Sequence, residues 1–277
     1  MKNQRAEIKV ATSQLPGILI EKYQYSAGSL EPLPKHAHQE YQLGMSFNCQ
    51  GEYFYRGAYH PVPIGNLSII HSGEVHSPSE RTYLPQPATF WMMHVDPSRL
   101  RKTALEIADD ASVPFFQVPV IADRSLGGLF YGLCLAVQTN TCKLTQDALL
   151  LDFFANLIGC RDKFIPESYP RAKSAIARVC EYLQENYTDN VSLAELASIA
   201  GTSRFYLSRL FHRQQGITLG AYHTQIKVDR AKKLLAQGMS IAQTASATGF
   251  YDQSHLGHHF KRIVGTTPGN YQPKKEQ

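Results

Sequence analysis

Residues 191–222 read VSLAELASIAGTSRFYLSRLFHRQQGITLGAY, and residues 239–271 read MSIAQTASATGFYDQSHLGHHFKRIVGTTPGNY. These stretches say nearly the same thing twice. Ser192, Glu195, Ala197 and Gly201 recur 48 positions later as Ser240, Gln243, Ala245 and Gly249. Phe211, Gly216, Gly220 and Tyr222 recur 49 positions later as Phe260, Gly265, Gly269 and Tyr271, so the second copy has one extra residue in its turn. Two copies are too few for a solenoid, and the pattern is that of a duplicated module.

Each copy is punctuated as a helix-turn-helix, over residues 193–214 and 241–264. Ser192 with Glu195 has the spacing of a capping box, and Ser240 with Gln243 repeats it. Leu193, Leu196, Ala197 and Ala200 form an apolar face at helical spacing. Gly201 stops that helix, and Ser203 is placed to cap the next. In the next helix Tyr206, Leu207, Leu210 and Phe211 offer an apolar side, which leaves Arg204, Phe205, Ser208 and Arg209 on the other. In the second copy Gly249 takes the turn and Asp252 or Gln253 opens the helix. Leu256 and Phe260 pack there, while Gln253, Ser254, Gly257 and His258 face out. A short helix presenting polar and guanidinium groups at i, i+3 and i+4 suits a DNA major groove. Two solvated helices would use this pattern once; the matched second copy argues for a shared task. Between the copies, Thr218–Gln237 reads as a single helix ended by Gly238. At about 1.5 Å per residue its length is roughly 30 Å, close to the roughly 34 Å between successive major grooves on one face of B-DNA.

The C-terminal stretch resembles the DNA-binding domain of the AraC/XylS family of bacterial transcription regulators. The matching pieces are SLAELA, LSRLF, GITLGAY, DRAKKLL, SIAQTA, GFYDQSHLGHHFKRIVG and TPGNY. The resemblance implies base contacts from Phe205, Ser208 and Arg209, then from Gln253, Ser254, Gly257 and His258. Three positions depart from the family pattern. Thr244 stands where an aliphatic residue is usual, Lys227 where arginine is commoner, and Gly257 has no side chain to read a base. Arg209 is the expected reader of guanine, and Arg204, Arg213, Lys261 and Arg262 are expected on phosphate, a sequence-independent task.

Length and charge agree with two domains. The chain has 277 residues and a net charge of +5. Residues 1–165 hold 14 Lys+Arg and 15 Asp+Glu, whereas residues 166–277 hold 14 and 8, so the basic excess lies in the C-terminal part. That asymmetry points to a polyanion partner for that part alone, with Lys274 and Lys275 as further candidates for phosphate. Five cysteines without CxxC spacing read as reduced thiols and as buried small hydrophobes. No apolar run has the length of a membrane span and the first ten residues lack a signal-peptide core, so a cytoplasmic protein with no membrane partner is expected.

Residues 15–120 read as short strands broken by Gly and Pro, in period-2 stretches such as EYFYRGAY and ATFWMMHV. Many short strands in about a hundred residues suggest a sandwich or barrel. Residues 34–78 resemble the cupin-type sensor domain that precedes the DNA-binding module in many AraC-like regulators. The matching features are His36-Ala37-His38 after a proline-rich turn, Gly51, Gly65-Asn66-Leu67, and Ser72-Gly73 followed by His76. The resemblance implies a small-molecule pocket, with His36, His38, Gln42, Tyr53, Tyr55, His76 and Trp91 as its expected lining. His36, His38, Glu40 and His76 together would be the ligand set for a divalent cation, as enzymatic cupins arrange theirs. In the regulator branch the pocket carries no catalytic metal, so no catalytic residue, metal or cofactor is expected.

From Asp123 to Asp162 the pattern turns helical. In the resembling family such a helix pair packs on the barrel and forms a homodimer contact. IPESYPR, Ile165–Arg171, reads as a linker, and Ala172–Tyr187 as the first helix of the next domain. The expected architecture is α+β in two domains. Residues 1–164 form a cupin-like β-barrel with a helical dimerisation segment, and residues 172–277 form an all-α domain with two helix-turn-helix motifs joined by a linker helix. The expected function is an effector-responsive, sequence-specific transcription regulator, more often an activator. It would bind adjacent major grooves of double-stranded DNA and contact RNA polymerase. The competing expectations are a metal-dependent cupin enzyme with a DNA-binding tail and an effector-independent structural DNA binder.

Overall fold

The computed structural model describes residues 5–78, 81–108, 114–160 and 175–272, except for the side chains of Phe205, Ile107 and Ala108. The expected linker at 165–171, Lys274 and Lys275 lie outside the described residues. The N-terminal half begins with β1 (Ile8–Leu15), β2 (Ile18–Tyr25), β3 (Gly28–Ser29), β4 (Tyr41–Ser46), β5 (Gly51–Tyr55) and β6 (Ala58–Val62). It continues with β7 (Leu67–Ile70), β8 (His76–Pro78), β9 (Tyr83–Leu84) and β10 (Ala88–Val95). Helix α1 (Pro97–Ala108), β11 (Val120–Ile121), α2 (Arg124–Gln138) and α3 (Lys143–Gly159) complete it.

Six strands form one sheet in the order β1-β2-β10-β4-β7-β11, and β6-β5-β8 form a second. The short pair β3-β9 stands apart, and barrel closure is not seen among the described strands. The six-stranded sheet is buried on both faces. On β10, Trp91, Met93 and Val95 alternate toward a core shared with Phe130, Phe153, Phe154 and Leu157 of α2 and α3. Phe90 and Met92 point to the opposite face, against the C-terminal domain. Two-sided burial is what lets so apolar a run as ATFWMMHV form a strand without aggregating. Helix α1 falls where the sequence reads only as strands. Asp96 opens it by accepting from the Ser98 amide at 2.8 Å, with Pro97 in the first turn, so the start signal was present. The expected uniform burial of cysteine also fails. Cys134 is buried and Cys49 and Cys180 are half-buried, but Cys142 and Cys160 are exposed.

The C-terminal half comprises α4 (Ala175–Glu185), α5 (Leu193–Ala200), α6 (Arg204–Gln215) and α7 (Leu219–Ala236). It ends with α8 (Ile241–Ala247), α9 (Gln253–Val264) and α10 (Pro268–Tyr271). The predicted capping box of Ser192 and Glu195 is present, and Gly201 ends α5 in the left-handed region at φ 68°. In the second copy Ser240 accepts from the Gln243 amide, but Gln243 returns its side chain to the Ser240 hydroxyl rather than to the backbone. Two residues assigned to apolar faces, Leu193 and Tyr206, are exposed because they lie at the edges of their stripes. Gly249, also at φ 68°, has a second constraint: a Cβ there would lie 2.5 Å from the Thr188 carbonyl oxygen. Lys227 of α7 donates to the Gly249 carbonyl at 3.0 Å and so clamps the second turn.

Helix α7 is the spine of this half and serves two cores. Tyr222 and Ile226 join the first, with Leu183, Leu196, Leu207 and Phe211. Val228, Ala231 and Leu235 join the second, with Leu256, Phe260 and Tyr271, and Tyr23 of β2 belongs to it as well. The second core therefore continues into the six-stranded sheet. Thr244 is fully buried in the second copy, and its hydroxyl has no hydrogen-bond partner. A buried unsatisfied hydroxyl is destabilising.

The halves meet around one buried carboxylate. Glu21 of β2 is held by Lys232 at 3.1 Å and by His94 at 2.9 Å. It also accepts from the hydroxyls of Tyr23 and Tyr271. Burial alone would raise its pKa, but the Lys232 charge, then His94 and the Tyr271 hydroxyl, outweigh it and hold the carboxyl well below the carboxylate range. Asp229, on the same face of α7, is pushed up to about 8, first by burial and then by the Glu40 charge. A second contact repeats the scheme at the first module: the Tyr222 hydroxyl accepts from Gln39 at 3.0 Å. Gln225 joins it, accepting from the Ala37 amide at 2.9 Å and donating to the Lys35 carbonyl at 3.1 Å.

Two outcomes follow from this packing. Thr244→Val, which keeps the shape and removes the orphaned hydroxyl, is expected to raise stability by about 1 kcal/mol in urea unfolding. Lys232→Met leaves Glu21 buried and short of its principal countercharge, and is expected to cost about 3–5 kcal/mol, with Glu21→Gln in the same chain restoring part of the loss. Because the Glu21 pKa is lowered on folding, its contribution is present above its unfolded pKa and lost as pH falls below it. The wild-type penalty for acid should therefore shrink in the double variant, and additive single losses with an unchanged acid profile would count against the pairing.

Candidate functional site

The structure brings two sets of residues together: the outward faces of α6 and α9, and a cavity between the sensor sheets and α7–α9. On α6, capped by the Ser203 side chain at the Tyr206 amide, Arg204, Ser208 and Arg209 are exposed on the side away from buried Leu207 and Phe211. The Phe205 side chain lies outside the described residues. Asp252 caps α9 by accepting from the His255 amide at 2.7 Å. Gln253, Ser254 and His258 are exposed and Gly257 is half-buried. No atom stands within 4 Å of a Cβ built on Gly257, so nothing in the chain requires glycine there. Between these helices α7 runs for 18 residues, about 27 Å at 1.5 Å per residue. Lys261 and Arg262, expected on phosphate, are exposed but also line the rim of the cavity, at the C-terminal end of α9.

The cavity has a volume of about 650 Å³, within the range of small-molecule sites. β2, β4, β10 and the facing sheet supply its walls, with Tyr23, Tyr53, Val62, Ile70, Phe90 and Met92 among the apolar lining. Its other lining comes from the C-terminal domain, including Asp229, Lys232, Lys261 and Arg262. Of the predicted lining residues, His36, His38, Gln42, Tyr53 and His76 are present. Trp91 is not: the β10 alternation sends it to the helix-covered face, where it meets Tyr131 edge-on. Tyr55 is also excluded. It is buried among Tyr53, Val62 and Ile70, with its hydroxyl on Glu74 and the His71 ring.

At one end of the cavity the rings of His36, His38, His76 and His94 cluster. Centroids are 4.3 Å apart for His36 and His76, 4.8 Å for His38 and His76, and 5.1 Å for His38 and His94. Backbone pairing places the first two elements, since His36 and His76 face each other in an antiparallel bridge closed by two amide-to-carbonyl bonds. Burial lowers the His36 pKa to about 4 and the His38 pKa to about 3, and takes His76 well below the ordinary histidine value, so these rings are neutral at pH 7. Glu40, expected among the cation ligands, is not with them; its carboxylate is paired with Lys233 of α7. The sequence reading missed Glu21, His94, Asp229 and Lys232. The available signal was a glutamate and a histidine inside otherwise apolar strands, each needing a partner once buried.

Comparison with known proteins agrees with this division. Residues 27–154 match the AraC-like ligand binding domain, and residues 196–274 match a helix-turn-helix domain. The HTH-type transcriptional regulator YbfI of Bacillus subtilis is 30% identical over 242 residues, 87% of either chain. The arabinose operon regulatory protein of Escherichia coli is 25% identical over 250 residues, 86% of this chain and 82% of that one. Among solved structures, ToxT of Vibrio cholerae with unsaturated fatty acid bound has a TM-score of 0.63 at 11% identity, covering 98% of this chain and 96% of that one. At that identity the likeness is one of fold. Among the described residues, no helix is long and apolar enough to cross a membrane. With a sensor-type cavity joined to two groove-sized helices, and with transcription regulators as relatives over most of its length, the chain belongs to the AraC family of effector-sensing, DNA-binding transcription regulators.

Proposed function

We propose that a small organic effector occupies the cavity between the sensor sheets and α7–α9, and that its binding changes how α6 and α9 are presented to adjacent major grooves. The observation that carries this reading is the shared wall: Lys232, Lys261 and Arg262 of the DNA-binding half line the same space as His38, Gln42 and Tyr53 of the sensor half. An occupant touching both halves has different contacts in the docked and released arrangements, which is the condition for shifting their balance. Lys232 is paired with Glu21, but Lys261 and Arg262 at the rim favour an effector with an acidic head, and the fatty acid held by ToxT makes such molecules the first to screen.

In this reading the protein acts as a cytoplasmic activator that contacts RNA polymerase, and works as a homodimer through α2 and α3. Tyr131 and Leu135 of α2 and Leu144 and Leu151 of α3 are exposed large apolar residues on that pair, which supports a second copy as the partner. Arg209 reads a guanine, and Arg204 and Arg213 hold the phosphate backbone.

The experiment is binding of full-length protein to the DNA upstream of its own gene, with scrambled duplex as competitor and with salt and candidate acids titrated. Arg209→Ala is expected to lose about 1–3 kcal/mol on the cognate duplex and to relax base preference at one position. Arg204→Ala should weaken cognate and scrambled duplex alike and flatten the salt dependence. Equal losses for Arg209→Ala on both duplexes would remove its reading role.

A further inference from the structure

The histidine cluster has a feature that effector binding alone does not use. We propose that His36, His38 and His76, with the Gln42 side-chain oxygen as a fourth ligand, form a site for a divalent transition-metal ion inside the sensor domain. The potential ligand nitrogens of the three rings all lie within 4.8 Å of one another. Each ring has its Nδ1 beside a backbone carbonyl: Pro34 at 3.0 Å for His36, Glu40 at 2.9 Å for His38, and Glu74 at 3.3 Å for His76. A carbonyl only accepts, so each Nδ1 carries the proton, and in a neutral ring the lone pair is then on Nε2. This is how outer-shell carbonyls orient metal-binding imidazoles.

Two further observations come from the same place. The His76 Nε2 is buried and has no hydrogen-bond partner, a costly state for a ring acceptor. The His38 Nε2 lies 2.9 Å from the Gln42 Oε1. With Nδ1 protonated, both of those atoms are acceptors, and a cation between them turns the conflict into two bonds. Turning the Gln42 amide would relieve His38 but leave His76 unchanged. Glu40 is committed to Lys233, and the His94 Nε2 to Glu21, so neither completes the set. Three imidazoles and an amide oxygen favour zinc, cobalt, nickel or copper over calcium or magnesium. Tetrahedral coordination at about 2.1 Å requires nitrogens roughly 3.4 Å apart, so metal binding would draw pairs now within 4.8 Å of one another together by up to about 1.4 Å. The ligands are uncharged, so the ion would keep its full charge at the end of the cavity, where His38 meets His94 edge-on and His94 holds Glu21.

The test uses full-length protein dialysed against EDTA and titrated with Co²⁺, read by its visible absorption bands and by metal content after gel filtration. Wild-type protein is expected to bind one Co²⁺ per chain, displaceable by Zn²⁺. His38→Ala and His76→Ala should weaken Co²⁺ binding by at least about 100-fold, beyond the loss typical of an outer-shell change. Gln42→Glu, a conservative variant of the fourth ligand, should tighten it. The double variant His255→Ala/His259→Ala removes the exposed pair on α9 whose Nε2 atoms lie 3.1 Å apart, and should leave the bands unchanged. Absence of the bands in wild-type protein, or their persistence in His38→Ala and His76→Ala, would overturn the site. Neither readout uses DNA or effector, so the effector reading stands or falls separately.

Discussion

The arrangement of the two halves depends on a charge that water would otherwise hold. Glu21 lies inside a sheet strand, 1% exposed, and remains ionised because Lys232, His94 and Tyr271 enclose it. Two of those three, Lys232 and Tyr271, come from the other half of the chain. A carboxylate buried without them would cost several kcal/mol, so the sensor strand β2 and the spine helix α7 hold each other in register. Such a contact is specific more than it is strong.

The duplication gives this docking a second point of attachment. Tyr222 and Tyr271 occupy equivalent places in the two copies, and each directs its hydroxyl to a polar group of the sensor: Gln39 for the first, Glu21 for the second. The equivalent glycines follow them. A Cβ at Gly216 would lie 3.6 Å from Val75, and one at Gly265 would lie 3.4 Å from Leu33. The same structural corner of both helix-turn-helix units thus rests on the sensor domain, while Arg209 and His258 remain exposed. Of the two corners, that of the second unit also borders the cavity, where Leu33 and Gly265 are part of the lining.

Much of the DNA-binding half was legible from local rules. Capping residues, glycine turns and apolar spacing at 3.6 residues act within a few positions, and Ser192, Gly201, Asp252 and Gly249 do what their types require. The misses were stripe edges, Leu193 and Tyr206, where periodicity cannot tell a rim from a face. The sensor half was legible in class but not in detail. Trp91 was assigned to the cavity because alternation tells which residues share a face, but not which face meets the ligand space. Glu40 looked like a cation ligand by sequence proximity, yet its partner, Lys233, is almost two hundred residues away. The Glu21–Lys232 contact is of the same kind. Long-range pairing of buried charges leaves only one local trace, a charged residue in an apolar strand.

The central claim is that the Glu21–Lys232–Tyr271 contact fixes the DNA-binding half against the sensor. Spin labels at Lys102→Cys and Tyr251→Cys, with Cys142 and Cys160 replaced by serine, would report the distance between the halves in full-length protein. The account predicts a single narrow distance distribution that broadens and shifts to longer distances when Lys232→Met is added. An unchanged narrow distribution in that variant would contradict it.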